Sequence, residues 1–205
     1  MISQTKALKQ LKELEKLSKE GIRLAAEEWS KPWQTLISTM LSARTRDETT
    51  IRVSSDLFKK YKTARALGNA TINQIQNIIR PVNFFRNKSK NVKNCAKILA
   101  EQFKGNPSHD FNELVKLPGV GRKTANVFLS EYGKDEIGID THVNHISHYL
   151  GWTKGKNQEQ VETDLKKLFP KQYWGRLNRI LVRFGKTHMS KKKKNELLDK
   201  IRRIK

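Results

Sequence analysis

The sequence predicts an all-α protein, and three observations carry that expectation. Apolar residues recur at intervals of three and four along most of the 205 residues. Ser, Thr, Asp or Asn precede these periodic stretches, and Gly or Pro follows them. No alternating apolar run is long enough to make a strand. Hydrophobic residues form 36% of the chain, enough for a packed core beneath a heavily charged surface.

About ten helices are expected in order. Leu8, Leu11, Leu14 and Leu17 share one face of the first, which Gly21 can stop. Ser30 is the expected N-cap of the second, with Pro32 in its first turn; Leu36, Ile37, Met40 and Leu41 make it apolar enough to be central. A third carries Ile51, Leu57 and Phe58. Thr71 caps a short helix through Ile75, Ile78 and Ile79, ended by Pro81. Residues 88–103 follow, with Val92, Cys95, Ala96, Leu99 and Phe103 inward. Beyond residue 140, Asp140, Asn157 and Ser190 are candidate caps. Their helices bury Val143, Ile146 and Leu150, then Val161, Leu165 and Leu168, and finally Leu197, Leu198, Ile201 and Ile204. Between the last two, Tyr173 to Lys186 forms a helix carrying Leu177, Ile180, Leu181 and Phe184.

Forty-two Lys and Arg face 20 Asp and Glu, a formal net charge of +22. Such an excess predicts salt-sensitive binding to a polyanion. The one cysteine, Cys95, excludes an internal disulfide, a four-thiolate zinc site and a cysteine-ligated iron–sulfur cluster within these residues. The opening residues alternate Leu with Lys rather than forming an apolar signal core, and no apolar run is long enough to span a bilayer. The expectation is an intracellular, cytoplasmic and nucleoid-associated monomer with no membrane partner.

The stretch from Leu117 to His142 organises the chain. Phe111 to Lys116 is an expected short helix, and Arg122 to Tyr132 a second, ended by Gly133. Between them Leu117-Pro118-Gly119-Val120-Gly121 makes a tight turn with open backbone N–H groups. A glycine turn feeding a helix N-terminus suits an anion, and on so basic a chain the expected anion is a nucleic-acid phosphate; the alternative is an ordinary helix–turn–helix with no ligand. Lys123, in the first turn beside the positive end of the helix, is placed to act as a neutral amine nucleophile. Asp140, an expected N-cap, is placed to stay ionised. Together they suit attack at a sugar carbon with developing positive charge. Singly, Lys123 also suits a phosphate contact and Asp140 a plain cap.

Leu117-Pro118-Gly119-Val120-Gly121-Arg122-Lys123-Thr124-Ala125, followed by Ile139-Asp140-Thr141-His142, closely resembles the helix–hairpin–helix and aspartate signature of the endonuclease III family of DNA base-excision glycosylases. Met40 to Asp47 resembles that family's duplex-probing loop, and Val82 to Asn91 a segment ahead of a long helix. The resemblance implies two helical lobes with a DNA-binding cleft between them. Residues 25–135 would form one lobe, and residues 1–24 with 136–205 the other. It implies a bifunctional glycosylase and abasic-site lyase, with Lys123 forming a Schiff base and Asp140 assisting. The substrate would be double-stranded DNA carrying oxidised pyrimidines or abasic sites. Alternatives are mispaired uracil or thymine, an oxidised purine, or non-catalytic DNA binding by the hairpin alone. DNA contacts would come from Arg44, Leu117, Gly119, Val120, Gly121, Arg122, His142, Lys191 and Lys192. A sodium or potassium ion would sit at the carbonyls of Val115, Leu117 and Val120.

Arg44 stands where bacterial members usually carry glutamine, a feature closer to archaeal members. Most of the family holds a [4Fe–4S] cluster on four C-terminal cysteines. Here Gly185-Lys186-Thr187-His188-Met189-Ser190 leads into Lys191 to Lys194 instead. No cluster and no required cofactor are therefore expected. The final amphipathic helix is expected to dock against Leu8, Leu11 and Leu14.

Overall fold

The computed structural model describes residues 2–204. They form α1 (Gln4–Lys16), α2 (Pro32–Ser42), α3 (Asp47–Lys60), α4 (Ala64–Asn69), α5 (Ile72–Ile79) and α6 (Phe85–Gln102). Then come α7 (Phe111–Leu114), α8 (Arg122–Glu131), α9 (Thr141–Tyr149), α10 (Gln158–Leu168), α11 (Trp174–Thr187) and α12 (Lys191–Arg202), with a short 3₁₀ turn at Lys171–Tyr173. The chain is all-α, with no strand among the described residues. None of these helices is long and apolar enough to cross a membrane. Two compact units result, Arg23–Glu131 on one hand and Met1–Ile22 with Tyr132–Lys205 on the other.

In the unit Arg23–Glu131, α2 is the central helix. Trp33, Leu36, Ile37, Met40 and Leu41 are all buried along it. It packs against α3, α6 and α8. Its N-cap is Lys31, not Ser30. Pro32 forces the residue before it into extended backbone, and Lys31 at φ −132° and ψ 141° holds the cap conformation for that reason. Ser30 instead donates its hydroxyl to Gln34 Oε1 at 3.0 Å.

The structure adds one helix to those expected. The helix α4, capped by the Thr63 hydroxyl, lies in a stretch for which no element is expected from the sequence. A Cβ at Gly68 would lie 2.8 Å from the Lys97 backbone, so glycine is what lets α4 press onto α6. Also, α6 begins at Phe85, ahead of Lys88, after Phe84 in the left-handed region.

In the other unit, Ala7, Leu11 and Leu14 of α1 share a core with Val143, Ile146, Val161, Leu165, Leu181 and Phe184. The helix α12 adds Leu198 and Ile201, both buried, with Leu8, Leu197 and Ile204 partly buried against the same core. The Gln10 side chain links three elements beneath it. It donates to Ile201 O at 3.2 Å and accepts from Trp152 Nε1 at 2.7 Å. A buried amide satisfied at both ends fixes the register of α12 on α1 rather than merely covering apolar surface.

Candidate active site

The hairpin runs from α7 to α8. Asp110 caps α7, its Oδ1 accepting from Glu113 N at 3.0 Å. The helix lasts one turn, shorter than the sequence spacing suggests. Val120 N–H donates to Leu117 O at 3.1 Å, closing a turn over Pro118 and Gly119. Gly119 sits at φ 79°, the left-handed position this turn requires. A Cβ there would meet Asn91 Cβ at 2.8 Å and Met40 Cε at 3.0 Å. Leu117 and Val120 are buried anchors. Gly121 is exposed, and a Cβ added to it would have no atom within 4 Å. Its carbonyl accepts from Ala125 N at 3.0 Å and so opens α8. Lys123 is the second residue of that helix and is half-buried. The Arg122 guanidinium lies 4.9 Å from the centre of the Phe111 ring, so it is stacked rather than simply solvated.

Arg44 projects from the loop after α2. Thr45 N–H donates to Ser42 O at 2.9 Å, and Arg44 is exposed at φ 56°. Lys88 Nζ reaches in from α6 and donates to Leu41 O at 2.7 Å and Ala43 O at 2.6 Å, with a longer contact of 3.4 Å to Thr45 Oγ1. Burial pushes the Lys88 amine down to about 8. Asn83 donates its side-chain amide to Arg44 O and its backbone N–H to Thr45 Oγ1 at 3.1 Å. Next to Asn83, Phe84 stands 62% exposed in left-handed backbone.

In the other unit, Asp140 caps α9. Its Oδ1 accepts from Val143 N at 2.8 Å, which leaves the second carboxylate oxygen outside the cap bond. The approach to Asp140 is anchored by buried Ile137 and Ile139, and by Asn178 Nδ2, which donates to Gly138 O at 2.7 Å. After the cap, the His142 ring lies on the bare backbone of α11 at Gly185, where a Cβ would be 2.1 Å from His142 Nδ1. Thus α11 grips the aspartate segment on both sides. Gly185→Ala is expected to displace His142 and lower the stability of this unit by about 1–3 kcal/mol. Thermal unfolding of the variant checks this. Lys191 and Lys192 are exposed in the first turn of α12, which Ser190 caps.

Lys88, Asn83, Asn178 and Gly185 are not singled out by the sequence. An amine bound to carbonyls and a glycine facing a ring leave no periodic or spacing signal. Asn83, Phe84 and Lys88 enter there only as part of the longer segment from Val82 to Asn91, and Gly185 only as the start of the stretch to Ser190.

Residues 37–171 match the family of HhH-GPD superfamily base excision DNA repair proteins. The chain is 42% identical over 156 residues to the endonuclease III of Thermotoga maritima, covering 76% of this chain and 73% of the relative. It is 33% identical over 146 residues to that of Escherichia coli, covering 71% and 69%. Among solved structures, a trapped endonuclease III–DNA covalent intermediate superposes with a TM-score of 0.84 at 31% identity, over 93% of this chain and 89% of that one. A thermostable thymine-DNA glycosylase shares the fold, with a TM-score of 0.79 at 17% identity over 93% and 89% of the two chains. Both the match across more than half of the chain and the identity to these relatives place the protein in one lineage: it belongs to the HhH-GPD superfamily, within the endonuclease III family.

Proposed function

We propose that this protein is a base-excision DNA glycosylase with abasic-site lyase activity, acting on oxidised pyrimidines and abasic sites in duplex DNA. The observation that carries the reading is a lysine at the head of the hairpin's second helix together with an aspartate capping α9. The chain bearing them is 31% identical to an endonuclease III captured as a covalent DNA intermediate.

In the proposed reaction the Lys123 lone pair forms a bond to C1′ as the glycosidic bond breaks, and the base leaves with the bonding pair. Opening of the C1′–O4′ bond then gives an iminium. Loss of a C2′ proton expels the 3′ phosphate, and hydrolysis frees the lysine. The Asp140 carboxylate stabilises positive charge at the sugar and takes the proton that the ammonium must lose. The hairpin holds the backbone phosphate through the N–H groups at Gly119 and Gly121, and Arg122 adds charge. Leu117 and Val120 seat the turn and His142 supports Asp140. Arg44 fills the space left by the rotated nucleotide, and the exposed Phe84, next to Asn83, is the apolar side chain that would enter the stack. Lys191 and Lys192 add phosphate contacts. The carbonyls of Val115, Leu117 and Val120 suit a sodium or potassium ion, since Leu117 O keeps a second lone pair beside its turn bond. One lesion needs one active site, so we read a monomer, and the net charge of +22 supports reading it as cytoplasmic and nucleoid-associated.

We further propose that no iron–sulfur cluster is held, because the donors do not fit. Cys95 is the sole cysteine, buried in α6 with its thiol pushed up to about 12, whereas ligation needs thiolates. The docking of α12 supplies the corresponding closure of the C-terminal region. Iron analysis of active, purified protein is expected to find none, and one cluster's equivalent of iron per chain would overturn this. The activity itself is tested by borohydride trapping on a duplex with an abasic site. A covalent protein–DNA adduct is expected, and its absence would leave only DNA binding. A panel of lesion duplexes tests the base preference.

A further inference from the structure

The turn that carries Arg44 is one an arginine does not adopt unaided. Ala43 at φ −53° and ψ 116°, followed by Arg44 at φ 56°, has the form of a type II turn. Its left-handed position favours glycine or asparagine, because a Cβ there crowds the backbone. Such a conformation persists only when its surroundings over-determine it. Here the restraint is visible and comes from one place, the start of α6. Lys88 holds the carbonyls on both sides of Ser42, and Asn83 holds the carbonyl of Arg44 itself. One turn further along α6, Asn91 lies against the hairpin glycine Gly119. The same helix therefore braces the Arg44 turn and abuts the phosphate-binding turn.

We propose that Lys88, with Asn83, is a positioning residue that presets Arg44 to occupy the gap in the duplex before the damaged base leaves it. This rests on the glycosylase reading above. The amine spends all of its hydrogen bonds within the protein, so its contribution to DNA chemistry passes through the loop. Presetting matters because an arginine free to sample other turns would lose ordering entropy at the moment the base stack opens.

The prediction separates opening from chemistry. Lys88→Met keeps the apolar stem and removes every donor. It is expected to slow release of a damaged base from duplex DNA by roughly 10- to 100-fold. Borohydride trapping at a ready-made abasic site in single-stranded DNA, where no stack is opened, is expected to stay near wild type. A 2-aminopurine opposite an abasic-site analogue is expected to report a less filled gap. In an Arg44→Ala background, Lys88→Met should add little further loss, since both act on one step. Asn83→Ala, at an exposed side chain, is expected to give a weaker form of the same pattern and keeps the test open if Lys88→Met does not fold. Equal losses on both substrates, or losses that multiply with Arg44→Ala, would overturn the proposal. A wild-type protein that forms no adduct on either substrate would instead remove the glycosylase reading on which it rests.

Discussion

Lys123→Gln is expected to abolish the borohydride-trapped adduct and to lower lyase turnover by on the order of 10⁴-fold or more. The amide has nearly the length of the lysine and suits a helix about as well, but it has no nucleophilic lone pair. Lys123 is half-buried at the second position of α8, and the residues that anchor that helix are the buried Ala125, Phe128 and Leu129. Folding stability is therefore expected to change by only about 0.5 kcal/mol. Duplex binding should survive, since the hairpin turn is untouched. Asp140→Asn is the matching test for the acid. Asparagine caps a helix as well as aspartate does, so α9 and its bond to Val143 N should be preserved. A fall of about 10²- to 10⁴-fold then reports lost charge and proton acceptance rather than a lost cap. Retained trapping by Lys123→Gln, or unchanged turnover by Asp140→Asn, would reduce the two residues to a phosphate contact and a cap.

The most legible parts of the sequence are those written in local chemistry. Asp140, Asn157, Thr71 and Ser190 stand before apolar periods, and each caps the helix it precedes. The α12 stripe of Leu197, Leu198 and Ile201, continued by Ile204 just past the helix end, is readable because one helix face has to find a core. The failures share a physical origin in tertiary contact. Gly68 gives no sign in the sequence that the α6 backbone is pressed against it. Phe84 carries no sign that a phenylalanine will take up left-handed backbone. Lys88 is one of many lysines, and only the three-dimensional position of Leu41 O and Ala43 O marks it out. In the site, the residues proposed for the chemistry are readable from two short strings, Leu117 to Ala125 and Ile139 to His142. Their positioning partners, Asn178 and Gly185 on α11 and Asn83 and Lys88 by α6, are not.

The two hairpin glycines are expected to fail in opposite ways when a methyl is added. Gly119→Ala is strained by its φ of 79° and by contact with Asn91 Cβ at 2.8 Å, an atom fixed to the α6 backbone, whereas Met40 Cε at 3.0 Å is the end of a flexible side chain that can yield. It is expected to destabilise the unit Arg23–Glu131 by about 2–4 kcal/mol, visible in thermal or denaturant unfolding without DNA. Gly121→Ala meets no atom within 4 Å and carries no positive φ. Its stability should be unchanged or slightly raised, since alanine restricts the unfolded chain. The methyl would instead stand where the phosphate is proposed to approach the backbone N–H groups of the turn. Duplex affinity is then expected to fall by roughly 10-fold, with a shallower dependence on salt as one phosphate contact is lost. Tight binding by a stable Gly121→Ala variant would mean that the strand is gripped elsewhere, because the free protein offers no other reason for a bare backbone at that position.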